Sequence, residues 1–149
     1  MNLTNEQVNS VFDLVNTHIA MVLHSNTANH VDRIVYKAMN LFSSFERILD
    51  GEFEVFWREI DNSFTNEALE AMGANDIVQI INNIIKLSDA EISEVKGLFS
   101  GRKIKKIHQK YAEDFISRLD AMGGIDYLTD NYFMPYVLDK YQDVIDFGF

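Results

Sequence analysis

Cysteine is missing from all 149 residues, and only one proline, Pro135, is present. Without cysteine there is no disulfide, no zinc–thiolate site and no thiol nucleophile. With one proline and seven glycines, little interrupts helical patterning. No apolar run approaches the roughly 20 residues that cross a bilayer. The polar start MNLTNEQVN leads us to expect no signal peptide. Together with the lack of cysteine, this favours a cytoplasmic location.

Bases are also scarce. Asp and Glu number 23 against 13 Lys and Arg, for a formal charge of -10, while hydrophobic residues make up 47%. The chain therefore has enough apolar mass for one core. It is too acidic to be expected to bind nucleic acid directly, and it is suited to attract a basic protein partner. The charge is segregated. Residues 1–95 hold 15 acids and 5 bases, residues 96–110 hold 6 bases and no acid, and residues 111–149 hold 8 acids and 2 bases. The cationic segment is GRKIKKIHQK, residues 101–110. Its bases Arg102, Lys103, Lys105, Lys106 and Lys110 are read as an ordinary solvated helix face.

What is abundant is helical spacing, with no alternating strand of useful length. A first helix starts near Thr4, with Gln7 placed for a capping box. Its stripe is Val8, Val11, Phe12, Val15, Ile19 and Val22. A second helix runs from about Val31 to Leu49 and ends at Asp50-Gly51. A short aromatic element follows, with Phe53, Phe56, Trp57 and Ile60. Asn62-Ser-Phe-Thr forms a turn into a short helix that Gly73 stops. Asn75 is expected to cap the next helix, and Ser88-Asp-Ala-Glu91 reads as a capping box opening another. A break is expected near Gly97 and Gly101. A longer helix then spans about Lys103 to Ala121 and ends at Gly123-Gly124, and Pro135 sits in the first turn of a final helix. The expected fold is all-α: one compact domain, residues 1–149, of about seven to eight helices.

Motifs for chemistry are lacking. No two of His18, His24, His30 and His108 stand three or four residues apart, so each reads as a solvated or capping residue rather than a metal ligand. The pairs Glu67/Glu70, Glu91/Glu94 and Asp143/Asp146 share helix faces, as acids in so acidic a chain do by chance. Nucleophile elbows and phosphate-binding loops do not occur. We therefore expect no catalytic residue, metal or cofactor, and no enzyme. Phe53, Phe56, Trp57 and the tail tyrosines read as core.

Two segments carry a resemblance. One is Phe45-Glu-Arg-Ile-Leu-Asp-Gly51-Glu-Phe53-Glu-Val-Phe56-Trp57, followed by Glu67-Ala-Leu-Glu-Ala-Met-Gly73-Ala. The other is the tail from Asp120 to Asp146. Over roughly residues 30–146 the chain resembles the DNA-mimic-protein family. It departs from that family's pattern in having Gly51 followed by Glu52 where two glycines are usual. Asn62-Ser63 also replaces only part of an asparagine-serine-glycine loop. The resemblance implies an all-helical, acidic protein, often a homodimer, whose carboxylates imitate DNA phosphates and occupy a DNA-binding protein. The densest acidic run supplies the candidate contact residues: Glu46, Asp50, Glu52, Glu54, Glu59, Asp61, Glu67 and Glu70. The expected partner is a basic protein, either DNA-binding or a nuclease toxin that this chain neutralises as an immunity protein, rather than nucleic acid itself or a membrane. The competing expectation is a structural adaptor whose acidity is incidental.

Overall fold

A computed structural model describes residues 3–61 and 63–148, without the side chains of residues 63 and 146–148. Asn62 and the side chain of Asp146 lie outside the described residues. Among the described residues the chain is helical throughout, with no strand.

Thr4 opens α1 (Asn5–His24) with the expected reciprocal cap: the Gln7 backbone N–H donates to the Thr4 hydroxyl, and the Thr4 N–H donates to the Gln7 side chain. Asn29 and Asp32 make a second such box at the start of α2 (His30–Leu49). At its far end Gly51 takes φ +83°, a conformation costly for any residue with a Cβ, and the chain reverses into α3 (Phe53–Ile60). Helix α4 (Ser63–Ala71) ends at Gly73, again at φ +83°, and α5 (Asn75–Ser93) follows.

Two expectations fail in α5. Asn75 is its first helical residue rather than its cap, and Asp76 Oδ1 instead accepts from the Ile77 N–H. No new helix begins at Ser88. That residue continues the inward register Ile77, Ile81, Ile84, Ser88, and its side chain is fully buried. Burial of this face outweighs the local capping signal, and Glu91, the other half of the expected box, reaches across to α6 (Ser100–Met122) instead. The Ser88 hydroxyl is left with no hydrogen-bond partner among the described residues. Ser88→Ala removes this desolvated hydroxyl and improves helix propensity, so it is expected to raise stability by about 1 kcal/mol. A higher denaturation midpoint at unchanged m-value checks this.

The expected break lies at residues 94–99, and α6 begins at Ser100, three residues earlier than its apolar pattern indicated. Gly123 ends α6 at φ +122°. The chain then runs through α7 (Gly124–Leu128), a π-helical stretch (Thr129–Phe133) and α8 (Met134–Lys140) without leaving helical conformation. Pro135 sits in the first turn of α8, and α9 (Gln142–Gly148) closes the chain. Counting that unbroken tail as one rod, the described residues form eight helical rods.

Helix α2 is the hub. It packs against α1, α3, α4, α6 and α7 and buries far more than one stripe, from Ile34 and Val35 to Phe45 and Ile48. Phe45, Phe56 and Phe115, from α2, α3 and α6, are completely buried, with ring centroids 4.6 to 5.8 Å apart. Phe133 stacks on Phe12 of α1 at 5.1 Å and meets Phe42 of α2 edge-on at 5.9 Å. Of the aromatics expected in the core, Phe53, Phe56 and Tyr141 are buried, while Trp57, Tyr127, Tyr132 and Tyr136 are half-buried at its edge. Helix α3 doubles back along α2, with Phe56 against Phe45 and Glu59 against Lys37. Helix α4 continues toward the start of α2, where Phe64 and Glu67 meet His30.

Candidate partner-binding surface

The reversal of α3 and α4 along α2 decides where the eight candidate acids stand. Glu46 and Asp50 are on the last turns of α2, and Glu52 is in the following turn. Glu54 and Glu59 are on α3, Asp61 is at its end, and Glu67 and Glu70 are on α4. All are exposed except Glu59, which is half-buried. Glu52 pairs with Arg47, and Glu67 with His30. Those two partners are 17 residues apart on α2, so at 1.5 Å per residue the acids extend along roughly 25 Å. They are spread along α2, α3 and α4 and do not form a compact patch.

Half of the row is engaged internally. Glu52 lies 3.1 Å from Arg47 Nε, Glu54 3.5 Å from Lys105 Nζ, and Glu67 3.4 Å from His30 Nε2. Surface pairs of this kind contribute little stability, but the Arg47 and Lys105 cations lower the local field of Glu52 and Glu54. Glu59 is bound more firmly. The nearly buried Lys37 ammonium donates to its carboxylate at 2.8 Å and to its carbonyl at 2.7 Å, and the Thr65 hydroxyl donates to the same carbonyl at 2.6 Å. Glu59 thus ties α2, α3 and α4 together. Glu46, Asp50, Asp61 and Glu70 form no ion pair with the other described residues.

Beside the α2–α3 turn the surface sinks into an open groove of about 420 Å³. Arg47, Arg58 and Lys105 line it opposite Glu52 and Glu54, so this corner is of mixed charge within an acidic face. The bases of α6 are exposed, as expected. Lys110 donates to Glu91 at 2.7 Å, and the Tyr111 hydroxyl donates to the same oxygen at 2.6 Å. The Lys110 contact, seconded by Tyr111, holds the Glu91 carboxyl below its usual range.

Two polar knots lie away from the acidic row, and neither was anticipated from the sequence. In the first, Asp32 is 3% exposed. It accepts from the Tyr141 hydroxyl at 2.7 Å and from the Asn29 N–H at 3.0 Å, and it lies 3.3 Å from His18 Nε2. Burial pushes the Asp32 carboxyl up, but the Asn29 N–H, Tyr141 and His18 outweigh it, so it is held below its usual range. Burial, with Asp32 as acceptor, drives the Tyr141 hydroxyl well up. In the second knot, the hydroxyls of Tyr127 and Tyr132 both donate to Asp76 at 2.7 to 2.8 Å and lie 3.0 Å from one another. Residues five apart on an α-helix point about 140° away from each other. The π-helical stretch brings i and i+5 into register, which lets both tyrosines reach one carboxylate on α5.

Two of the four histidines have the solvated role expected of them and two do not. His24 is exposed and His30 sits at the start of α2, but His18 packs on Tyr141, and His108 stacks on Trp57 at 4.6 Å. Burial, opposed by Asp89, lowers the His108 pKa. The Trp57 indole N–H donates to the His108 carbonyl at 2.8 Å, fixing α3 to α6. Among the described residues no three His, Asp or Glu side chains converge as metal ligands, and no helix is long and apolar enough to cross a membrane. No protein-family model, curated protein or solved structure matches this chain.

Proposed function

We propose that this chain is a non-catalytic acidic binding protein that occupies the basic, nucleic-acid-binding surface of another protein by standing in for DNA. The observation that carries this reading is the row of carboxylates along α2, α3 and α4. Within it Glu46, Asp50, Asp61 and Glu70 are exposed and unneutralised by other described residues. The resemblance to the DNA-mimic-protein family supports it as well. A basic groove shaped for phosphates attracts such a row over a long range and orients it on approach.

Magnitudes qualify the mimicry. Over roughly 25 Å, B-DNA presents about 15 charges. The row has eight acids, four of them paired, so it is a dilute imitation. It competes with DNA through apolar and hydrogen-bonded contacts added to the charge, and the mixed groove at Arg47, Arg58 and Lys105 offers such contacts to acids on the partner.

The test is a pull-down from native-host lysate at low and high salt. Capture of one basic, nucleic-acid-binding protein, released by salt and displaced by duplex DNA, is the expected result. A nuclease in that fraction assigns the chain as an immunity protein, and a transcription factor assigns it as a regulator. Absence of any salt-sensitive partner overturns the proposal.

A further inference from the structure

The connection between α5 and α6 ends in an apex unlike the rest of the surface. Leu98 is 99% exposed and Phe99 64%. The chain turns there through Gly97 at φ +105°, around which no other atoms crowd. Cations surround the two apolar side chains. Lys96, Arg102, Lys103 and Lys106 are all exposed, and none has a carboxylate partner among the described residues. The Arg102 guanidinium lies 5.8 Å from the centre of the Phe99 ring, and the Lys103 ammonium contacts only the Lys96 carbonyl, at 3.3 Å. Nearby, Glu91 is engaged by Lys110 and Tyr111, leaving Asp89 and Glu94 as the uncommitted acids close in sequence among the described residues. The first turn of α6 has no acid and no side-chain cap. Its cations therefore sit at the positive end of the helix dipole, an arrangement that an external anion relieves.

We propose that this apex docks on an anionic phospholipid surface. Leu98 and Phe99 enter the boundary between headgroups and acyl chains, and Lys96, Arg102, Lys103 and Lys106 meet the lipid anions. Shape favours lipid over an acidic protein. A two-residue protrusion needs a matching cavity in a folded partner, whereas a bilayer interface deforms around it. Charge fits as well: one apolar insertion plus a basic collar is the two-signal combination that gives reversible membrane attachment. The net charge of -10 does not oppose this. At physiological salt, charges act over about 8 Å, so acids farther than this from the apex weigh little against its four cations. Whole-chain composition pointed away from any membrane because it averages over a chain whose cations are concentrated in this one segment. The proposal is independent of the acidic row.

Sedimentation with vesicles of phosphatidylcholine plus phosphatidylserine, and of phosphatidylcholine alone, tests it on the full chain. The protein is expected to pellet with the serine-containing vesicles at physiological salt, to be released by high salt, and to ignore the neutral ones. Leu98→Ser with Phe99→Ser abolishes pelleting while leaving the thermal midpoint unchanged. Arg102→Ser, Lys103→Ser and Lys106→Ser together weaken it about 100-fold, since each cation near such a surface contributes about a fivefold gain. Neutralising Glu46, Asp50, Asp61 and Glu70 leaves it intact, which separates this test from that of the acidic row. The proposal is overturned if the protein stays in the supernatant with anionic vesicles, or if the Leu98/Phe99 variant pellets undiminished. Retention on immobilised polyglutamate that depends on Leu98 and Phe99, without vesicle binding, assigns the apex to an acidic protein instead.

Discussion

Asp32→Ala is expected to destabilise the fold by about 3–5 kcal/mol, the range for removing one side of a buried charged contact. The carboxylate is 3% exposed and holds three segments: α1 through His18, the start of α2 through the Asn29 N–H, and the residue before α9 through the Tyr141 hydroxyl. Alanine strands the tyrosine hydroxyl in the core and removes half of a capping box, and each stranded group costs about 1–3 kcal/mol. Tyr141→Phe removes a single donor and leaves the carboxylate its other two partners, so it costs less. The pH dependence has a definite sign. The folded carboxyl titrates below its ordinary value. Its contribution is therefore present above the unfolded value of about 3.9 and is lost as pH falls through the lower folded one. The gap in stability between wild type and Asp32→Ala should narrow as pH falls below about 4, and urea titrations across that range measure it. A gap that widens with acidification contradicts the assignment.

How far such features were legible beforehand depended on the distance over which they act. Thr4 and Gln7 are three residues apart, and the stops at Gly51, Gly73 and Gly123 depend on local backbone conformation alone. All were readable, and so was the all-helical class, because apolar spacing repeats over every long segment. Ser88 shows where local reading fails. Serine three residues before glutamate looks like a helix start, yet the residue also continues the buried face of α5, and burial of a whole face outweighs one cap. The π-helical stretch left one trace: Tyr127 and Tyr132 are five apart, a spacing that places two aromatics on opposite sides of an α-helix. The tyrosine contacts of Asp32 and Asp76 join residues 51 to 109 positions apart and have no local signature. Glu59 was misjudged for the same reason. It stands in the densest acidic run, but its ammonium partner comes from Lys37, 22 residues earlier. The free charge of the candidate surface was therefore overestimated, since four of its eight acids meet bases only after folding.

That distinction leads to the prediction with the largest expected functional effect. Changing Glu46 and Glu70 to Gln together with Asp50 and Asp61 to Asn removes the four carboxylates that keep their full field. If the row steers the protein onto a basic partner, the association rate should fall on the order of 100-fold at low salt, within the range that electrostatic steering supplies. The dependence of affinity on salt should flatten in parallel, because fewer counterions are exchanged. The comparison variant changes Glu52, Glu54 and Glu67 to Gln. It removes three charges against four, so steering should fall almost as far, but each of these carboxylates already faces Arg47, Lys105 or His30 and has less contact to offer a partner, so the dissociation rate should rise by less than about tenfold. None of these seven side chains is buried, so both variants should keep the wild-type thermal midpoint within a few degrees, which separates lost steering from lost folding. Glu59→Gln stands apart. It leaves the Lys37 ammonium without its carboxylate in a nearly buried site, so its effect should appear in stability first. Stopped-flow association and dissociation with the captured partner over a salt series read all three. An equal rise in dissociation rate from the two surface variants would mean that internal pairing does not withhold a carboxylate from the partner. No loss from either would remove the acidic row from the interface and leave the chain's acidity incidental to binding.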